Sequence, residues 1–383
     1  MGVFGFGYFK EKFSNDKTNQ VNIDHVAFDI THITVQSLHD CISIDKFFSI
    51  FKKRFENSIE FSFLKKEQPK GIVFTLDNRS PNLKRQTQQR RILNSLSLAD
   101  RIQRKTDSTR LVIDKIKIRD VASTIEHYIL NSVSNYFPNA KITFDNEIGE
   151  GEMKAMNNLI SQKTTKIKLI MSRDNDVFIY LLGIKDRFPI ENICIFYEQN
   201  HTYKLLRCWD NVSTGYAWVL VLWLGICYGN DYAYGILEKN MNILATKFEE
   251  IVTFFNFSVK NKLIKKYDGN IFFFRDNIFE AFILLMSFLR TKNFITRSVR
   301  IKHSKRLKKQ RYNVKNWISR QIWSFAYAIE MPHSFLNNEK FQYFPNINID
   351  TSIDKPFLPL RDILFFSNLE LEDIIIDIID LGF

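Results

Sequence analysis

Cysteine chemistry is nearly absent from this 383-residue chain. Its four cysteines, Cys41, Cys194, Cys208 and Cys227, contain no C-x-x-C pair, so neither a zinc site nor a disulfide framework is indicated. A reducing intracellular compartment is the expectation, cytoplasmic rather than nuclear. Long apolar runs are missing too. The longest, YAWVLVLWLGICY from Tyr216 to Tyr228, falls short of the roughly 20 residues that a membrane span needs. It reads as a buried helix ending at Gly229, and no membrane partner is expected. The opening MGVFGFGYF lacks the basic region and cleavage site of a signal peptide. Phe6 stands where a myristoylation motif has Ser or Thr. There is no internal repeat and no long Pro-, Gly- or Ser-rich linker.

What is present is apolar, aromatic and basic. A hydrophobic content of 45% with 36 Phe argues against disorder and supplies ample core. The net charge of +12 suits a polyanionic partner, with plain solubility as the alternative. Two stretches are one-signed. RIKHSKRLKKQR, from Arg300 to Arg311, holds seven Lys or Arg and no acid; it could contact phosphates, direct nuclear import or form a solvated loop. The last sixteen residues hold five acids and no base.

Strand signals, rich in Val, Ile and Phe, fall at Val26–Asp29, Gly71–Asp77, Lys141–Asp145, Lys166–Met171 and Asn192–Tyr197. Helical periods fill the gaps, notably Leu83–Leu98 and Arg110–Tyr136. This alternation predicts an α/β domain with a largely parallel sheet over about residues 1–240. A mostly helical region over 241–383 follows, with helices expected at Ile236–Phe257, Asn277–Leu289 and Trp317–Ile329.

Seven carboxylates cluster at the ends of apolar runs: Asp29, Asp77, Glu150, Glu152, Asp174, Asp176 and Asp231. Open α/β sheets put their ligand sites beyond the carboxyl ends of the strands, so these acids are expected to converge. So many like charges in one cleft call for cations. Hard oxygen donors suit two Mg²⁺ ions, or Mn²⁺, and two such ions about 4 Å apart are the usual device for in-line phosphodiester cleavage. Asp174 and Asp176, two apart, would share one side of an extended backbone. Glu150 and Glu152 alternate with Gly149 and Gly151 before a helix; a well-capped surface helix is the alternative there. After Asp77, in DNRSPNLKRQTQQRRIL, Lys84, Gln88 and Arg91 fall on one face of a polar helix. They could hold a terminal phosphate, or form a solvated basic face. Most of the Trp residues sit in apolar runs and read as core.

These motifs resemble the Xrn family of 5′→3′ exoribonucleases. The carriers are MGVFGFGYF, HVAFDITHITVQSLH, GIVFTLDNRSPNLKRQTQQRR, IGEGEMKAM (similar to GEGEHKIM), SRDNDVFIYLLG and LGICYGNDY. Beyond Asp231, KNWISRQIWSFAYAIEMPHSFLNNEKFQYFP and DKPFLPLRDILFF look like the family's second conserved region. The resemblance implies a Rossmann-like fold of the PIN and flap-nuclease type, with a compact second region and no long carboxy-terminal extension. It implies all seven acids as catalytic metal ligands, and Lys84, Gln88 and Arg91 as the 5′-monophosphate pocket. It implies a magnesium-dependent hydrolase that degrades single-stranded RNA, a monomer in the absence of known protein partners. Two positions depart from the pattern. Val35 stands where the family stacks a His on the terminal base, with His32 and Phe335 as candidate replacements, and Ile92 replaces an Arg. The alternatives are a flap-type nuclease on DNA and a non-catalytic RNA-binding protein of the same fold. Against the first, YAYGILEKNMNILATKFEE after Asp231 lacks the G-x-G-x-x-x-A pattern of duplex grip.

Overall fold

The computed structural model describes residues 14–18, 22–41, 44–78, 118–185, 188–199, 202–210, 264–267 and 270–273, and the single positions Val212, Val221, Tyr232, Ser324, Tyr327 and Ala328. Seven strands form one sheet: β1 (Ser14–Asp16), β2 (Ile23–Asp29), β3 (Gly71–Thr75), β4 (Lys141–Asp145), β5 (Ile167–Met171), β6 (Ile193–Gln199) and β7 (Thr202–Cys208). Their order is β1-β7-β6-β5-β2-β3-β4. The five from β6 to β4 are parallel, and β7 and β1 add an antiparallel edge. The five expected strands are β2 to β6, and the fold class is the mixed α/β one.

Parallel strands are covered on both faces, which is why GIVFT in β3 and most of IDHVAFD in β2 are apolar without alternation. Helices α1 (Thr31–Asp40), α2 (Ile44–Glu56), α3 (Ile59–Glu67) and α4 (Ile118–Asn131) supply one cover. Their Phe47, Phe51, Phe55, Phe61 and Ile125 join Phe28, Phe74 and Phe196 of the sheet in one buried cluster. Helices α5 (Gly151–Ser161) and α6 (Asp176–Ile184) pack on each other; α5 lies against β2, β3 and β5, and α6 contacts β7. Among the described residues, a two-stranded antiparallel sheet, β8 (Ile264–Tyr267) with β9 (Asn270–Phe273), stands in the region expected to be mostly helical. Ser324, Tyr327 and Ala328 are helical there, as expected. The helices expected at Leu83–Leu98, Ile236–Phe257 and Asn277–Leu289 lie outside the described residues.

From β2 the chain moves one way, to β3 and β4, and then returns to the other side of β2 for β5 and β6. The carboxyl ends of β2 and β5 therefore flank a topological switch point. Open α/β sheets leave a crevice there, because the connecting segments depart in opposite directions.

Candidate metal centre

Asp29 is the last residue of β2, Asp77 lies just beyond β3, and Ser172 and Asp174 follow β5, so all four stand at the switch point. Asp29 is buried; its Oδ1 accepts the Thr31 N–H at 3.0 Å and its Oδ2 accepts the Ser172 hydroxyl at 2.9 Å. Burial first, and then the charge of Asp77, push its carboxyl up to about 7. The Thr31 hydroxyl donates to Asp77 Oδ1 at 3.2 Å and accepts the Asp77 N–H at 3.0 Å. The Gly151 N–H donates to that same Oδ1 at 2.6 Å.

The two glycines of G-E-G-E have separate reasons. Gly149 has φ 140°, in the range open to glycine, and pairs its backbone with Asn78 at 2.8 and 3.0 Å. Gly151 opens α5, and a Cβ there would stand 2.4 Å from Asp29 Oδ1 and 2.9 Å from Thr31 Oγ1. Only glycine lets the helix start abut the end of β2. Glu150 and Glu152, at that helix start, are both buried, which rules out the surface-helix alternative.

Glu152, Asp174 and Asp176 each offer a carboxylate oxygen, and these oxygens all lie within 4.8 Å of one another. The two aspartates meet by a route different from the extended spacing expected for them. Asn175 between them is helical and Asp176 begins α6. The Asp176 N–H donates to Asp174 Oδ1 at 3.0 Å, and the Asp174 N–H donates to Ser172 Oγ at 3.2 Å. A tight turn into a helix folds the pair together, where a strand would have alternated.

Two sets of partners escaped sequence reasoning. Glu150 Oε2 accepts the hydroxyls of Tyr180 at 3.3 Å, Tyr232 at 2.5 Å and Tyr327 at 3.2 Å. Burial, and then the Glu150 charge, hold the Tyr180 and Tyr232 phenols well above their ordinary range, so both stay protonated donors. Lys154 is buried behind the acids. Its Nζ donates to Leu76 O at 2.5 Å and Glu147 O at 2.9 Å and stands 3.8 Å from Asp145. Burial pulls its pKa down, while Asp145, Asp77 and Asp29 hold it up. A signal for Lys154 existed, because GEGEMK matches the Lys of GEGEHK.

His32 is turned inward. Its side chain is 16% exposed, with Nε2 3.7 Å from Glu60 and the ring centroid 6.4 Å from Phe28. Burial lowers its pKa to about 4, so the ring is neutral at physiological pH. A base-stacking role would require that ring to leave its seat. Arg173 bridges Glu60 at 3.0 Å and Glu198 at 2.7 Å. A cavity of about 260 Å³ opens beside Asp174, lined by Arg173, Phe178, Tyr197 and Glu198 among others. Asp231, Lys84, Gln88, Arg91 and Phe335 lie outside the described residues.

The donor set fits a divalent cation. It consists of hard carboxylate oxygens, Mg²⁺ binds such oxygens at about 2.1 Å, and adjacent Asp29 is held partly protonated by like charge that a cation would relieve. No helix among the described residues is long and apolar enough to cross a membrane.

No protein-family model matches the chain, and no curated protein matches it. Among solved structures it is similar to the catalytic core of Rad2 in complex with DNA substrate, at TM-score 0.43 and 16% identity over 99% of this chain and 100% of that one. Another complex of that core gives 0.42 and 15% over the same shares. The core in a further complex gives 0.33 and 13% over 100% of this chain and 99% of that one. Likeness of that size carries no argument about activity, which rests here on the centre's own chemistry.

Proposed function

We propose that the chain is a divalent-metal-dependent nuclease that shortens single-stranded RNA from a 5′-monophosphate end. The observation that carries this reading is the convergence of buried Glu152 and Asp176 with Asp174 at the switch point, beside Asp29 and Asp77. Bound divalent ions would supply Lewis acidity to a phosphodiester there. The chain's own groups do the rest. Glu152, Asp174 and Asp176 hold cations, Thr31 and Ser172 fix the carboxylate of Asp29, and Lys154 offsets charge from behind. Asp77, Glu150 and Asp231 complete the acidic set. Lys84, Gln88 and Arg91 grip the terminal phosphate, so that the bond one nucleotide inward meets the acids. Phe335, rather than the inward His32, is the better-suited ring for stacking a base.

DNA as substrate is the second reading, favoured by the make-up of the centre: carboxylates that act on the phosphate are indifferent to a 2′-hydroxyl. The test is decay of end-labelled single strands, RNA and DNA, bearing 5′-hydroxyl, monophosphate or triphosphate ends, with Mg²⁺ and with EDTA. We expect mononucleotides from the 5′-monophosphate RNA with Mg²⁺ alone. The Asp174→Asn, Asp176→Asn double variant should stay folded and inactive, because removing like charge relieves repulsion. Cleavage by that variant at the native rate would sink the metal-centre reading. Internal fragments appearing first would replace the exonuclease with an endonuclease.

A further inference from the structure

The geometry points to Tyr180, Tyr232 and Tyr327 as positioning residues that clamp Glu150 for a metal ion, which makes the segment around Tyr327 a working part of the centre. This rests on the metal-centre reading above and adds to it a device drawn from three distant parts of the chain.

Glu150 is wholly buried, and the three hydroxyls converge on one of its two oxygens, Oε2. Donors gathered on a single oxygen fix the plane of the carboxylate and hence the direction of Oε1. A carboxylate needing only solvation would be served by donors spread over both oxygens; gathering them on one orients it. Each donor is itself held. Tyr180 lies four residues beyond Asp176 in α6, so one helix face carries both a candidate ligand and a clamp. Tyr327 lies 177 residues from Glu150 in sequence and is 0% exposed. Its ring meets Tyr180 edge-on at 5.8 Å and 73°, and Tyr232 at 5.5 Å and 62°. The Tyr180 and Tyr232 hydroxyls are 3.4 Å apart, within reach of each other. Tyr327 is thus the wedge that holds the other two against the acid.

Groups that orient metal ligands typically change metal affinity 10- to 100-fold when lost. The test is titration of Mn²⁺ into the metal-free full-length protein, read by the loss of the free-ion paramagnetic resonance signal, for native chain, Tyr327→Phe and Tyr232→Phe. Phenylalanine keeps the ring packing and removes only the donor. We expect each variant to bind Mn²⁺ about tenfold or more weakly, and the Mg²⁺ concentration for half-maximal cleavage to rise in step. Folding is checked by circular dichroism, and if one variant fails to fold the other gives the reading. Mn²⁺ affinities within twofold of native in a folded variant would overturn the clamp. The Asp174→Asn, Asp176→Asn double variant separates the two claims. If it binds Mn²⁺ as the native chain does, the centre itself is misassigned; if it loses Mn²⁺ while the tyrosine variants keep it, only the clamp fails.

Discussion

Asp29 shows how one buried side chain makes the metal-free protein sensitive to pH. Its folded pKa is raised to about 7 against an ordinary 3.8, so the folded state binds the proton more tightly than the unfolded chain does. Stability from this group is fullest below pH 3.8 and falls as pH rises to about 7, by up to about 1.4 kcal/mol for each pH unit, then stays flat. His32 runs the other way. Its folded pKa near 4 lies below the ordinary 6.5, so its contribution falls as pH drops from 6.5 to 4. Comparing Asp29→Asn with the native chain cancels the His32 contribution. In EDTA, the variant's advantage in melting temperature should be larger at pH 8 than at pH 5, and added Mn²⁺ should narrow it by stabilising the native chain. An advantage equal at both pH values would mean that Asp29 ionises freely in the fold.

At the scale of elements, the start of α5 is where the centre is least tolerant. Gly151→Ala would set a Cβ 2.4 Å from Asp29 Oδ1, and neither backbone can give way without opening the gap between β2 and α5. We expect a loss of about 1–3 kcal/mol in urea unfolding and a larger proportional loss of cleavage, since the carboxylates separate as the helix backs off. Activity at the native level would show that the helix start can shift freely. This close approach was only half legible beforehand. Val, Ile and Phe runs announce parallel strands, because burial on both faces demands them, and acids at their ends follow. Helices α1 to α3 were not read, since their Phe and charged residues alternate too irregularly to advertise a period. Strand β7, TYKLLRC, hid behind its Lys and Arg, which an edge position tolerates. The tyrosine contacts with Glu150 left no trace at all. A tyrosine in an apolar run looks like core, and nothing in residue spacing signals a partner 177 positions away.

For the whole molecule, the question is whether the sheet and the later region fold apart. The division near residue 240 separates Tyr327 from the sheet that it serves. A fragment of residues 1–240 keeps the seven strands and Glu150 but loses a ring that is 0% exposed in the full chain. From that ring alone it should be less stable by about 1.5–3 kcal/mol, seen as a lower urea midpoint. Identical midpoints would show two independent units. The strand order also has a temporal side. Strand β1 is the first to leave the ribosome, yet its partner is β7, so Ser14 waits for Cys208. At a synthesis rate of roughly 5–20 residues per second, that wait lasts on the order of 10–40 seconds. Meanwhile β2, β3 and β4 can pair as they emerge, while β2 keeps its other edge bare until β5 arrives. The nascent chain therefore spends much of its birth with the seam that will carry the acids still unzipped, and a chaperone that shields that one edge would do more for yield than any aid after release.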